Sequence, residues 1–101
     1  MYNDNNLKKL STLEKKSSKA MEAYKAFDKA ALEDGSIPKK YKELMAVAVA
    51  LTTQCPYCIE IHKKAAIDAG ASEEELAEAT FVVAALRAGG AVTHGTHLME
   101  K

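Results

Sequence analysis

Leu10, Leu13, Ser17, Ala20, Tyr24, Phe27 and Ala31 recur at alternating steps of three and four, and the positions between them are mostly Lys, Glu, Ser and Asp. That spacing lines up one stripe of a helix and predicts an amphipathic helix over roughly residues 7–33. Gly35 is expected at its C-terminal cap, and Pro38 biases Ile37 away from helical backbone, so a turn falls at about 34–38. From Lys39 to Thr53 the chain changes character, because Leu44 to Leu51 is apolar on every face. The Ala-Val alternation there also suits a buried strand. Three alanines, the Lys-Glu-Leu lead-in and the lack of any other strand candidate predict instead a helix buried on all sides. Pro56 suits the first position of a third helix, running to Gly70 with Ile59, Ile61, Ala65, Ala66 and Ile67 as its apolar set. Ser72 with Glu75 three residues on forms a capping box, which opens a last helix from about Glu73 to at least Arg87. Gly89-Gly90 either ends that helix or lets a neighbour pack closely, and Thr93 to His97 has no clear period.

These elements predict a single all-α domain over residues 1–101, with an N-terminal amphipathic helix within 1–36 and a core within 38–95. No repeat, low-complexity tract or interdomain linker interrupts it. The chain has 101 residues, 48% hydrophobic but only 6% aromatic, with no Trp and eighteen alanines. Tyr24, Phe27 and Phe81 are expected in the core. Two of four helices are apolar nearly all round, more than four short helices can cover, so subunits should share a core. Fourteen basic residues balance fourteen acidic ones. This excludes the basic footprint of a nucleic-acid binder and strong docking on acidic lipid. The longest apolar runs, Leu44 to Leu51 and Phe81 to Leu86, fall well short of the ~20 residues of a membrane span. The first residues run into charge without an apolar stretch, so no secretory leader is expected and the cytoplasm is the expected compartment. Thiols stay reduced there unless redox chemistry is their task.

The chemistry concentrates in Cys55-Pro56-Tyr57-Cys58, followed by His62. A Cys-x-x-Cys at a helix start puts both sulfurs near unpaired N–H groups and the positive end of the helix dipole, which favours thiolate. His62, one turn beyond Cys58 on the same face, is placed to take or return that thiol's proton. If the second and third helices form an antiparallel hairpin, the midpoint between Glu43 and His62 falls at Thr52 and Thr53, where the turn belongs. Glu43 then faces His62 and would orient the ring and carry protons. The same residues admit other readings. Cys55 and Cys58 could be half of a structural zinc site completed by His62, His94 or His97. Glu43 and His62 could be solvated, as His94 and His97 are expected to be. Tyr57 could shape access to the sulfurs.

Glu43, eleven residues, Cys55-Pro56-Tyr57-Cys58, three residues and His62 resemble the Glu-x11-Cys-x-x-Cys-x3-His signature of the carboxymuconolactone decarboxylase superfamily, in its alkylhydroperoxidase (AhpD-like) branch. The likeness runs from about Pro38 to Gly95. It implies an AhpD-like helical fold, assembly as homotrimers or homohexamers, and thiol-dependent reduction of organic or hydrogen peroxides, with Glu43 and His62 as an acid/base relay. By resemblance Cys58 is the attacking thiolate, Cys55 resolves its sulfenic acid to a disulfide, and an external dithiol restores both. No cofactor and no metal are implied. The chain departs from the well-known alkylhydroperoxidase in being one minimal copy of the core and in carrying Tyr57 where that enzyme has a second histidine. The true decarboxylase branch lacks the paired cysteines, which disfavours decarboxylation. In a generic Cys-x-x-Cys helix the first cysteine is the activated one, which would be Cys55. A thiol–disulfide oxidoreductase is the alternative function, and a zinc-stabilised structural oligomer the non-enzymatic one.

Overall fold

The computed structural model describes residues 4–101 and is helical throughout its ordered elements. The helices are α1 (Asp4–Lys8), α2 (Leu10–Lys16), α3 (Ser18–Leu32), α4 (Lys39–Thr53), α5 (Pro56–Asp68) and α6 (Glu73–His94), followed by a 3-10 turn at Gly95–Leu98. No strand occurs among the described residues, which agrees with the all-α reading.

The amphipathic stretch expected as one helix is broken at Lys9 and Ser17. Ser17 adopts φ −144 and ψ 61, outside the helical region. Consecutive serines at 17 and 18 offer competing local hydrogen bonds, which weakens a helix interior. Glu14 on α2 pairs with Lys25 on α3 at 2.9 Å across the break. Gly35 does not take the left-handed cap; α3 ends at Glu33 in extended backbone. Lysines of the next helix serve its end instead. Lys42 Nζ donates to Glu33 O at 2.7 Å and Lys39 Nζ to Leu32 O at 3.4 Å, placing positive charge on unpaired carbonyls at the negative end of the dipole. Asp34 Oδ1 in turn accepts the Lys39 backbone N–H at 2.6 Å.

The helices α4 and α5 form the central antiparallel hairpin, and α6 packs mainly on α4. The core is thin: Val47, Ala50, Ala66 and Ala71 are buried, and these small side chains let the backbones approach closely. Gly70 has φ +102, and Gly70 N–H to Ile67 O and Ala71 N–H to Ala66 O, both 2.9 Å, close α5 in a Schellman motif. The capping box at Ser72 and Glu75 is present in both directions.

Much of the apolar surface finds no cover within one chain. Phe27 is 72% and Phe81 73% exposed, and Tyr24, Met45, Val49 and Leu86 also face outward. The expectations that Tyr24, Phe27 and Phe81 are core, and that α4 is buried on all sides, therefore fail for the single subunit, because α3 and α6 each cover one side of the hairpin only. The accessible surface is 8009 Å², against about 5,600 Å² for a compact monomer of this mass. The radius of gyration is 17.1 Å, against about 12.7 Å for a compact chain of this length. Gly89 and Gly90 neither end α6 nor meet a neighbour: the helix runs on to His94, and a Cβ at either position would meet nothing within 4 Å beyond the adjoining helix. An 18-residue window within Glu73–Leu98 has a mean hydropathy of 1.3, so by length and composition this helix is long and apolar enough to cross a membrane. The uninterrupted run Phe81 to Leu86 stops at Arg87, whereas an average over 18 residues spans that charge and takes in Ala88 to Val92 beyond it.

Candidate active site

Only Gln54 and Cys55 separate α4 from α5. So short a reversal needs a left-handed residue, and Gln54 supplies it with φ 56 and ψ 43 while Cys55 N–H returns to Ala50 O at 3.2 Å. A non-glycine residue there costs about 1–2 kcal/mol. Cys55 is the N-cap of α5 and Pro56 its first residue, where a missing N–H is harmless. The sulfurs lie on the first turn, half-buried and free, 2.7 Å apart, and Cys55 Sγ accepts the Cys58 backbone N–H at 3.3 Å.

This geometry separates the two thiols. The Cys58 thiol, then the backbone N–H groups of Cys58 and Tyr57, hold the Cys55 pKa below the ordinary thiol value. Cys58 is pushed up, first by its hydrogen bond to Cys55, then by burial and by the Cys55 charge. The singly ionised pair thus carries its charge on Cys55 and its proton on Cys58.

Glu43 and His62 meet across the hairpin as the register required. His62 Nδ1 lies 2.7 Å from Glu43 Oε1, and Glu43 is 2% exposed. Lys39 Nζ lies 3.0 Å from the other carboxylate oxygen, Oε2. A cavity of about 300 Å³ between α3, α4 and α5 is bounded by Cys58 and His62 and walled by Ala31, Leu32, Ala46 and Val49, with Asp28 also lining it. No hydrogen bond joins His62 to either sulfur among the described residues. The two share the cavity, so a small molecule or water between them could touch both. The 760 Å³ cavity on the α6 side, lined by Val47, Leu51, Ile59 and Leu76, holds none of this chemistry.

The other candidates stand apart. The His94 and His97 rings face each other at 5.6 Å. Among the described residues no group of three His, Cys, Asp or Glu could hold a metal ion, so the ligand set of a structural zinc site is not assembled there. The Tyr57 hydroxyl accepts from Asn6 Nδ2 at 3.0 Å, tying the Cys-x-x-Cys turn to α1. Sequence reasoning passed over Lys39, although its spacing of four from Glu43 on one helix face was the available signal. It also passed over Asp28, which only the folding of α3 over the hairpin brings near His62.

The site thus joins a buried carboxylate–imidazole pair to a pair of free thiols at a helix start in an all-α protein. The chain belongs to the carboxymuconolactone decarboxylase family, which it matches over residues 18–101. It is 48% identical over 73 residues to an uncharacterized protein of the cox locus of Paracoccus denitrificans, covering 72% of this chain and 66% of that protein. Its fold is similar to that of an apo carboxymuconolactone decarboxylase family protein from Legionella pneumophila, with a TM-score of 0.77, 32% identity, and 81% of this chain and 73% of that chain covered. A protein from Methanobacterium thermoautotrophicum gives a TM-score of 0.79 at 31% identity, covering 85% and 97% of the two chains. The chain spans between 52% and 66% of the length of the curated relatives it matches.

Proposed function

We propose that the protein is a thiol peroxidase that reduces organic or hydrogen peroxides through Cys55 and Cys58. The observation that carries this reading is the shared cavity of Cys58 and His62, with a buried carboxylate fixed behind the imidazole. Cys58 gives its proton to His62, and its thiolate attacks the peroxide oxygen, breaking the O–O bond. Cys58 becomes a sulfenic acid, and the alkoxide leaves as the alcohol with the proton from His62. Cys55, its pKa lowered by the Cys58 side chain and by backbone N–H groups, attacks the sulfenic sulfur as thiolate, forming the disulfide and releasing hydroxide that is protonated to water. An external dithiol reduces the pair. The apolar wall at Leu32, Ala46 and Val49 favours an alkyl group on the peroxide. The exposed faces of α3, α4 and α6 fit assembly as a homotrimer or homohexamer, and the proposed compartment is the cytoplasm.

The test is peroxide consumption by the reduced protein, with intact mass before and after for the native chain and each Cys→Ser variant. One alcohol formed and one disulfide gained per peroxide is the expected result; no thiol loss on peroxide treatment refutes the reading. The low pKa of Cys55 favours a second reading, a thiol–disulfide oxidoreductase in which Cys55 attacks a partner disulfide. Faster reaction with a model disulfide than with any peroxide, retained in Cys58→Ser only as a mixed disulfide, would select it.

A further inference from the structure

Glu43 is the only buried charged residue among the described residues. A carboxylate removed from water persists as an anion only where cations or donors take its charge, and otherwise binds a proton. Its two oxygens are used differently: Oε1 faces His62 Nδ1 at 2.7 Å and Oε2 faces Lys39 Nζ at 3.0 Å. The Lys39 side chain is 44% exposed, so it stays in contact with water while its ammonium lends charge to the buried oxygen. Its second contact, to Leu32 O at 3.4 Å, ties it to the end of α3. The cavity around this cluster is also lined by Asp28 and Lys29 of α3 and by Glu33 and Asp34 of the connection. Of these cations Lys39 alone is ion-paired to the Glu43 carboxylate.

We infer that Lys39 is a positioning residue that sets the tautomer of His62. With Lys39 holding Oε2, Glu43 stays an acceptor, so His62 keeps its proton on Nδ1 and leaves Nε2 with a free lone pair. Nε2 is then the atom that takes the proton of Cys58. Without the ammonium the buried carboxylate has no charge partner where it lies and turns toward water, releasing Nδ1. The neutral ring then carries its hydrogen on Nε2 and accepts nothing from the thiol. The tautomer claim stands on the geometry alone, whereas its effect on turnover rests on the proposed peroxidase reading.

The test combines ¹⁵N NMR of the His62 ring with single-turnover oxidation of the reduced protein by an organic hydroperoxide. His94→Asn and His97→Asn serve as the background that isolates the His62 signals. Native Lys39 should give the Nδ1–H tautomer when the ring is neutral, Lys39→Arg should keep it, and Lys39→Met should convert it to Nε2–H. Oxidation should slow by about tenfold to a hundredfold in Lys39→Met and stay within about twofold of native in Lys39→Arg. Lys39→Gln, which keeps the polarity without the charge, should follow Lys39→Met and replaces it should the apolar variant misfold. An Nε2–H ring in the native protein, or an Nδ1–H ring in Lys39→Met or Lys39→Gln, overturns the inference. A native protein that has the Nδ1–H ring but is not oxidised by peroxide overturns the peroxidase reading and leaves the role of Lys39 standing.

Discussion

Glu43→Gln keeps the shape of the buried side chain and removes its charge, which isolates what the carboxylate does for His62. In the native protein the 2.7 Å contact to Nδ1 is a charge-assisted bond once His62 has taken the Cys58 proton. Such bonds are worth about 1.5–3 kcal/mol, against about 1 kcal/mol for the neutral bond an amide oxygen makes. A loss of about 0.5–2 kcal/mol falls on the step that forms the imidazolium, and at about 1.4 kcal/mol per tenfold the oxidation rate drops about two- to thirtyfold. The fold suffers less. Lys39, 44% exposed, can return to solvent, so that side of the loss is at most about 1 kcal/mol. The chain has no Trp to report the reaction. The assay is therefore rapid acid quench, alkylation of remaining thiols and mass spectrometry, with thermal unfolding measured in parallel. A Glu43→Gln protein that is folded and oxidised at the native rate would refute the relay.

Other expectations follow from the same geometry. Cys58→Ser should abolish peroxide turnover, whereas Cys55→Ser should accumulate a sulfenic acid at Cys58 detectable by dimedone labelling; a sulfenic acid at Cys55 in active Cys58→Ser reverses the assignment. The lowered Cys55 pKa makes the reduced protein gain stability, relative to the oxidised one, as pH rises from the folded Cys55 pKa to the ordinary thiol value. Above that value the raised Cys58 pKa reverses the trend, so the difference between reduced and oxidised unfolding curves should peak near the ordinary thiol pKa; a flat difference contradicts it. Gln54→Gly removes the cost of a left-handed side chain and should raise stability by about 0.5–1 kcal/mol in urea unfolding, less any entropy gained by the unfolded chain. Light scattering should find an oligomer that Phe81→Glu with Leu86→Glu dissociates, and a native monomer would contradict the shared core.

The helical hairpin was legible from residue spacing because its signals are local: Pro56 at a helix start, Ser72 and Glu75 as a capping box, and an apolar run with no competing strand. The pairing of Glu43 with His62 was legible for a similar reason, since a tight reversal fixes which residues lie level. What could not be read was anything set by partners outside the local helix. Phe27 and Phe81 carry core-like side chains at core-like spacing, yet whether their cover lies in the same chain or in another leaves no mark on periodicity. The break at Ser17 turns α2 back so that Glu14 meets Lys25, a contact between exposed side chains eleven residues apart that helical spacing does not foresee. The division of charge between the sulfurs turns first on the hydrogen bond between them and then on Cys55 accepting the Cys58 backbone N–H. The helix-start pattern alone left Cys55 and Cys58 as rivals.

The most direct test of a peroxide-reducing dithiol centre is the intact mass of the reduced protein after one equivalent of an organic hydroperoxide. The expected result is the loss of two hydrogens per chain with one alcohol released, restored by a dithiol and absent from both Cys→Ser variants. An unchanged mass, or oxygen addition at Met without loss of the Cys55 and Cys58 thiols, would contradict it.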